Sequence, residues 1–232
     1  MRAVRKPAQH VSAGHEHEFE PVHGLPEHLP AGEHLLWQGS PDWKRLAQRA
    51  FHVRKLVVYF AALMVLRVAV LLGGSTTTGE VLLSVLWMAA LAATALGLLS
   101  LVAWLSARAT VYSVTDRRVV MRIGIVLTLS FNIPFKRITA AGLHLEADGT
   151  GDLPLTLSGE DRIAWLHLWP HARPWCLARP EPMLRSVPQA AEVARVLSAA
   201  WSRSTGLSVT AAQAAAVSAT EPVAGLPALA VR

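Results

Sequence analysis

Two apolar stretches separated by a short polar gap, Leu56 to Gly73 and Val81 to Leu105, constrain this chain more than anything else in it. The hydrocarbon core of a bilayer takes ~20 consecutive apolar residues to cross as a helix. The first stretch is close to that length and carries one charge, Arg67; the second is longer and carries none. A helix in a soluble core keeps a polar face, and two in succession without one are rare. The pair therefore reads as a transmembrane hairpin over residues 56–105 (56–73 and 81–105), turned by Gly74-Ser-Thr-Thr-Thr-Gly-Glu80.

The basic residues give the hairpin an expected orientation. Lys44, Arg45, Arg49, Arg54 and Lys55 precede it, and Arg108, Arg117, Arg118 and Arg122 follow it, whereas the gap has no Lys or Arg. The positive-inside rule puts both flanks, and so both termini, in the cytoplasm. Trp104 and Trp87, near opposite ends of the second stretch, suit interfacial anchoring.

The remaining sequence leaves room for about one soluble domain, since 52% of the 232 residues are hydrophobic. A net charge of +6 could point to nucleic acid, but the basic residues gather beside the apolar stretches, where topology and anionic lipid account for them. No nucleic-acid partner is expected. The single cysteine, Cys176, excludes an intramolecular disulfide and argues against a cysteine zinc site. The first apolar stretch begins too far into the chain for a cleavable signal peptide.

Residues 1–23 are polar and rich in histidine, and disorder is expected there. His15-Glu16-His17 is no metal site on this reading, because a flexible tail lacks the outer contacts that orient ligands. Residues 24–55 form a juxtamembrane segment with an amphipathic helix. Ser40 is its expected N-cap and Pro41 its first residue, with Trp43, Leu46, Ala47, Ala50 and Phe51 on one face. That helix either lies among the headgroups or packs on the cytoplasmic domain.

From residue 109 to 201 the period becomes that of strands. Thr110 to Thr115 and Val119 to Arg122 form a hairpin, and further strands are predicted at Leu127 to Ile133, Ile138 to Glu146, Leu153 to Leu157 and Ile163 to Leu168. Within the fourth of these six segments, Ala141, Leu143 and Leu145 alternate with His144 and Glu146, which sets the first three on one face. Turn signals fall at Asn132 to Pro134, Asp148-Gly149 and Ser158-Gly159. Trp169 to Pro182 holds four prolines and excludes a helix or central strand. Pro188 opens a helix to about Trp201, and residues 202–232 form an Ala/Ser/Thr-rich tail, also expected to be disordered. The fold class is membrane-anchored α+β: a two-helix hairpin, then an antiparallel β domain capped by a C-terminal helix.

Tyr112-Ser-Val-Thr-Asp-Arg-Arg-Val-Val-Met-Arg-Ile-Gly124, with Asn132-Ile-Pro-Phe-Lys-Arg-Ile138, resembles the bacterial pleckstrin-homology-like domains of small membrane proteins. A second resemblance covers nearly all of Leu25 to Trp201. Leu29 to Trp43, Arg49 to Lys55, Trp169 to Trp175 and Arg179 to Leu184 are similar to the photosynthetic-complex assembly proteins of purple bacteria, the PuhB family. That resemblance implies a membrane-bound factor of the inner (intracytoplasmic) membrane that helps assemble the reaction centre and its core light-harvesting antenna. Its partners would be subunits of those complexes, with membrane lipid and a second copy of the chain as further contacts. It supplies no catalytic residues and implies no cofactor. The alternative is a membrane-anchored lipid- or envelope-stress-related scaffold sharing only the pleckstrin-homology-like domain.

No phosphate loop, zinc-protease motif or nucleophile elbow is present, and Cys176 has no nearby base in sequence, so a non-enzymatic protein is expected. Ser158-Gly-Glu-Asp161 is a turn rather than a carboxylate site. Trp169, Arg173 and Trp175 are the expected partner-docking residues: Trp and Arg are the commonest interface anchors, and the surrounding prolines stiffen the backbone. The other expectation is that the two tryptophans cover the open end of the sheet. Arg67 is an intramembrane charge that must snorkel, pair with Glu80 or meet a partner helix or pigment. Tyr59, Trp87 and Met88 could face a pigment, but the stretches lack a histidine to ligate one, and His52 lies outside them. Arg117, Arg118, Lys136 and Arg137 are placed to face the anionic inner leaflet without phosphoinositide specificity.

Reporter fusions after Arg108 and within Ser75 to Gly79 are expected to read cytoplasm and periplasm respectively. The reverse pattern refutes the orientation.

Overall fold

The structure, a computed structural model, describes residues 24–25, 27–74, 77–158 and 163–206. Both expected disordered tails lie almost wholly outside these residues, as do His15-Glu16-His17 and residues 159–162 of the turn after Ser158.

The first element is a strand that the sequence reading did not foresee. Leu35–Gly39 forms β1, which pairs antiparallel with β2, Val111–Thr115, matching Trp37 to Val114 and Gly39 to Tyr112. The two strands lie on opposite sides of both apolar stretches. Residues 24–55 are therefore no separate juxtamembrane segment, and the β domain does not begin at residue 109. Glu33, just before β1, receives a bidentate pair from Arg118, Nε at 2.7 Å and Nη2 at 2.8 Å, with its carboxylate almost fully buried.

Helix α1, Trp43–Arg49, is capped by Asp42, whose carboxylate accepts the Arg45 amide at 2.9 Å. Asp42 takes the place expected for Ser40, and Pro41 precedes the helix. Leu46, Ala47 and Phe51 of the expected apolar face are buried against Ala103 and Ala107 of α3, Thr78–Ala109. The helix is packed on the protein rather than lying free among headgroups.

Helix α2, Val53–Leu72, buries none of its 20 residues, and only 6% of the most apolar window of α3 is buried. A soluble core helix of this hydropathy would be mostly covered. At 1.5 Å per residue α2 is about 30 Å long, the thickness of the hydrocarbon core, and α3 is about 48 Å. Both are long and apolar enough to span a membrane, and surface this bare associates the chain with one. Two hydroxyls of α3 close internally, Thr94 onto the Ala90 carbonyl and Ser100 onto that of Leu96. Glu80 does not pair with Arg67: it accepts the Thr77 amide in a capping box, while Arg67 Nε donates to Ser84 Oγ across the two helices at 3.0 Å.

Thr110 alone separates α3 from β2. The first sheet runs β1-β2-β3-β4, with β3 at Arg118–Ile123 and β4 at Leu129–Pro134. In the second, β7, Gly151–Leu157, pairs with β5, Ile138–Ala141, with β6, His144–Leu145, and with β8, Met183–Val187. The expected strand from Ile138 to Glu146 is broken at Gly142 and Leu143, which leaves Leu145 exposed and ends the predicted alternation. Ile163 to Leu168 is not a strand either. Trp165–Leu168 makes one helical turn, α4, that buries Leu168 against Ile123 and Ala172. β8 lies just beyond the proline-rich segment and was not foreseen. The last helix, α5, Ala190–Thr205, starts two residues after Pro188 and closes one core between the sheets, with Val193, Leu197 and Trp201 against Tyr112, Met121, Phe135 and Leu155.

All five residues of β2 are buried, and β1 covers one of its edges. A fragment of residues 109–206 is therefore expected to aggregate, because an uncovered apolar strand edge templates pairing with other chains. Circular dichroism and gel filtration test this; a monomeric fragment that unfolds cooperatively would contradict the assignment of β1 to the domain.

Candidate functional site

A cleft of about 940 Å³ opens where α1 and the first turn of α2 meet the proline-rich segment. Its walls include Arg49, Lys55, Trp169, Arg173, Trp175 and Arg185. The three residues expected to dock a partner thus share one wall. Trp169 stands edge-on to Phe51 with ring centroids 5.2 Å apart. Arg173 Nη1 donates to Glu181 Oε2 at 2.7 Å, and this hydrogen bond raises the guanidinium pKa. The Trp175 ring is 97% exposed and so covers no sheet end. Its backbone is left-handed, φ 65°, a conformation that bulky residues rarely adopt.

Beneath this wall lies a buried polar chain. His171 is fully buried, with Nδ1 2.6 Å from the Tyr112 hydroxyl and Nε2 3.0 Å from Thr110 Oγ1. Thr110 spends its own proton on the Ser106 carbonyl at 2.7 Å, so it must accept from His171 Nε2–H. Nδ1 is then the acceptor for the Tyr112 proton, and the Tyr112 oxygen receives the Arg185 amide at 3.1 Å. Both imidazole nitrogens are consumed in the neutral form, leaving His171 neither a free base nor a free metal ligand. Burial pushes its pKa down to about 3, and burial likewise pushes the Tyr112 hydroxyl up.

Arg185 joins this chain to α1. Its Nη1 donates to the Pro170 carbonyl at 2.8 Å, and burial lowers its pKa. Ser186 next to it, φ 51°, forms a bulge in β8 whose amide donates to Asp152 Oδ1 at 2.7 Å. The Asp152 carboxylate also faces Arg49 Nη1 at 3.4 Å, and Arg49 Nη2 reaches Glu146 at 2.7 Å. The Ser186 carbonyl accepts the amide of Asp42, the cap of α1, at 2.8 Å. Sequence reasoning assigned none of these residues to a site. His171 and Tyr112 are 59 positions apart, and a histidine between prolines carries no local signal of burial.

The basic residues expected at the leaflet lie at the end of the sheet opposite the junction of α3 with β2. β2 leaves α3 at Val111, so its far turn carries Arg117 and Arg118 away from the helices, and Lys136 and Arg137 follow Pro134, which pairs with Arg118. Arg117 is engaged by the Gly32 carbonyl at 3.0 Å. Among the described residues no three His, Cys, Asp or Glu side chains converge.

His171 also gives the fold a pH dependence of definite sign. Its folded pKa, about 3, lies below the ordinary ~6.5, so between these values the unfolded chain binds a proton that the folded chain excludes. The stabilisation is complete above ~6.5 and declines as pH falls toward 3, by an order of several kcal/mol. Thermal unfolding in detergent is expected to show a Tm falling from pH 7.5 to 4.5. His171→Asn should be less stable at pH 7.5 yet show a shallower fall; an unchanged slope would contradict the assignment.

The bacterial PH domain family model matches residues 56–201. An "Uncharacterized 23.7 kDa protein in puhA 5'region" of Rhodobacter capsulatus is 37% identical over 187 residues, which cover 80% of this chain and 87% of that protein. No solved structure matches the chain significantly. The family match takes in most of the apolar helices, every strand except β1 and most of the closing helix, and on that extent the chain belongs to the bacterial PH domain family.

Proposed function

We propose that the protein is a non-enzymatic, membrane-bound assembly factor for the photosynthetic reaction centre and its core light-harvesting complex. The observation that carries this reading is the relative encoded in the puhA 5′ region, 37% identical over 80% of the chain, together with the PuhB-family resemblance of the Trp-Pro segments. In this reading α2 and α3 cross the inner membrane as a hairpin with both flanks cytoplasmic, and the cleft meets newly inserted subunits at the level of their headgroup-proximal segments. The pairing of β1 with β2 supports a hairpin, since it holds the two flanks on one side.

Trp169, Arg173 and Trp175 form the docking wall. Trp175 supports this role best: a bulky residue held at positive φ with its ring in solvent contributes little to the fold, and strain of this kind gathers at functional positions. A non-enzymatic role agrees with a buried histidine whose two nitrogens are both engaged.

Deleting the gene is expected to diminish the near-infrared bands of the reaction centre and core antenna, and unchanged bands would refute the assembly reading in favour of a general membrane scaffold. Trp175→Ala should alter stability by less than about 1 kcal/mol, as surface substitutions do, while lowering reaction-centre yield several-fold through the loss of a hot-spot anchor. A variant that accumulates normally and supports full yield would remove Trp175 from the docking wall.

A further inference from the structure

We propose that the tip of the β3–β4 hairpin, residues 125–127, inserts into the headgroup and upper acyl region of the leaflet from which α2 and α3 emerge, as a third membrane contact. Turns ordinarily expose polar residues, but here Ile125, Val126 and Leu127 follow one another, 44%, 90% and 79% exposed. Gly124 makes this possible. At φ 118° it folds the backbone so tightly that a Cβ would collide with the Leu127 carbonyl, and the three side chains are turned outward.

The register gives the direction. β2 begins at the end of α3 and runs away from it; β3 returns, so Arg122 pairs with Val111 and Ile123 with Leu129 at the α3 end of the sheet. The tip extends past that rung toward the helices by about two residues, roughly 7 Å. Trp104, under the Arg108 guanidinium at 5.5 Å, marks an interfacial level on α3 and lies roughly 10 Å along the helix before β2. The base of the hairpin points to the same level independently. Ile123 packs on Leu168 and Ala172, in the segment whose Trp169 meets Phe51 edge-on just ahead of α2. Leu166, in the same helical turn as Leu168, is also an exposed apolar side chain, at 75%.

Lipid, rather than protein, is the occupant this geometry fits. Three side chains at one turn cannot bury the ~1,200 Å² or more of a specific protein interface, whereas a leaflet already held alongside by two bare helices requires no such area. The inference rests on α2 and α3 crossing a membrane, and is independent of what the cleft binds.

The test uses the full chain, carrying Cys176→Ser, reconstituted into phosphatidylcholine–phosphatidylglycerol vesicles with an environment-sensitive fluorophore on single cysteines. Val126→Cys probes the tip, Val65→Cys the middle of α2, and Lys136→Cys the far end of the sheet. The Val126 label is expected to emit to the blue of the Lys136 label, to lose most of its intensity to lipids with a nitroxide high on the acyl chain, and to resist aqueous iodide. A Val126 label that behaves like the Lys136 label while the Val65 label is quenched overturns the inference alone. Protection from iodide without quenching by nitroxide lipid also overturns it, because a second copy of the chain would then be the cover. If the Val65 label is not quenched either, the membrane-spanning reading falls with it.

Discussion

The hydrogen bonding of β1 to β2 is the constraint on which the rest of the structure depends, because it joins segments lying on either side of two apolar helices. Closing a flexible loop of about 70 residues would cost roughly 4 kcal/mol of chain entropy. Antiparallel packing of α2 on α3 removes most of that cost by bringing the flanks together first. The buried bidentate pair of Glu33 and Arg118 adds a further contact between the same two flanks. The domain is completed by residues preceding its own anchor, which couples folding of the sheets to placement of the helices.

A second dependence runs through the polar chain under the cleft. Ser106, Thr110, His171, Tyr112 and Arg185 link the end of α3, β2, the proline-rich segment and β8 in one continuous set of hydrogen bonds. The imidazole at its centre is satisfied in one tautomer alone. The network fixes the proline-rich segment against the root of the second apolar helix, so the exposed Trp175 is presented from a rigid base.

Much of this architecture was legible in the sequence where a segment's environment is uniform. The apolar stretches needed only length and the near-absence of charge, and the Thr110 to Arg122 hairpin and the closing helix followed from their periods and flanking turn residues. Legibility failed where structure is made by distant partners. Leu35–Gly39 has no alternation, and only pairing with β2 makes it a strand. Leu143 and Leu145 kept the period of a strand that Gly142 interrupts, and Ile163 to Leu168 looked extended until the need to bury Leu168 drew it into a helical turn. Trp169, Arg173 and Trp175 stood out because tryptophan and arginine between prolines are conspicuous. His171, in the same segment, was missed because its partners are two hydroxyls some 60 positions away.

The junction of α3 with the first sheet has a mechanical consequence. A helix of 32 residues passes into β2 through the single residue Thr110, which is itself buried and hydrogen-bonded to its neighbours. There is no swivel between the membrane and the domain. Any neighbour in the bilayer that changes the lean of α3 must swing the whole β domain through the same angle, as a mast carries its flag. The protein is in that sense a lever, and the orientation of its β domain reports the company its helices keep.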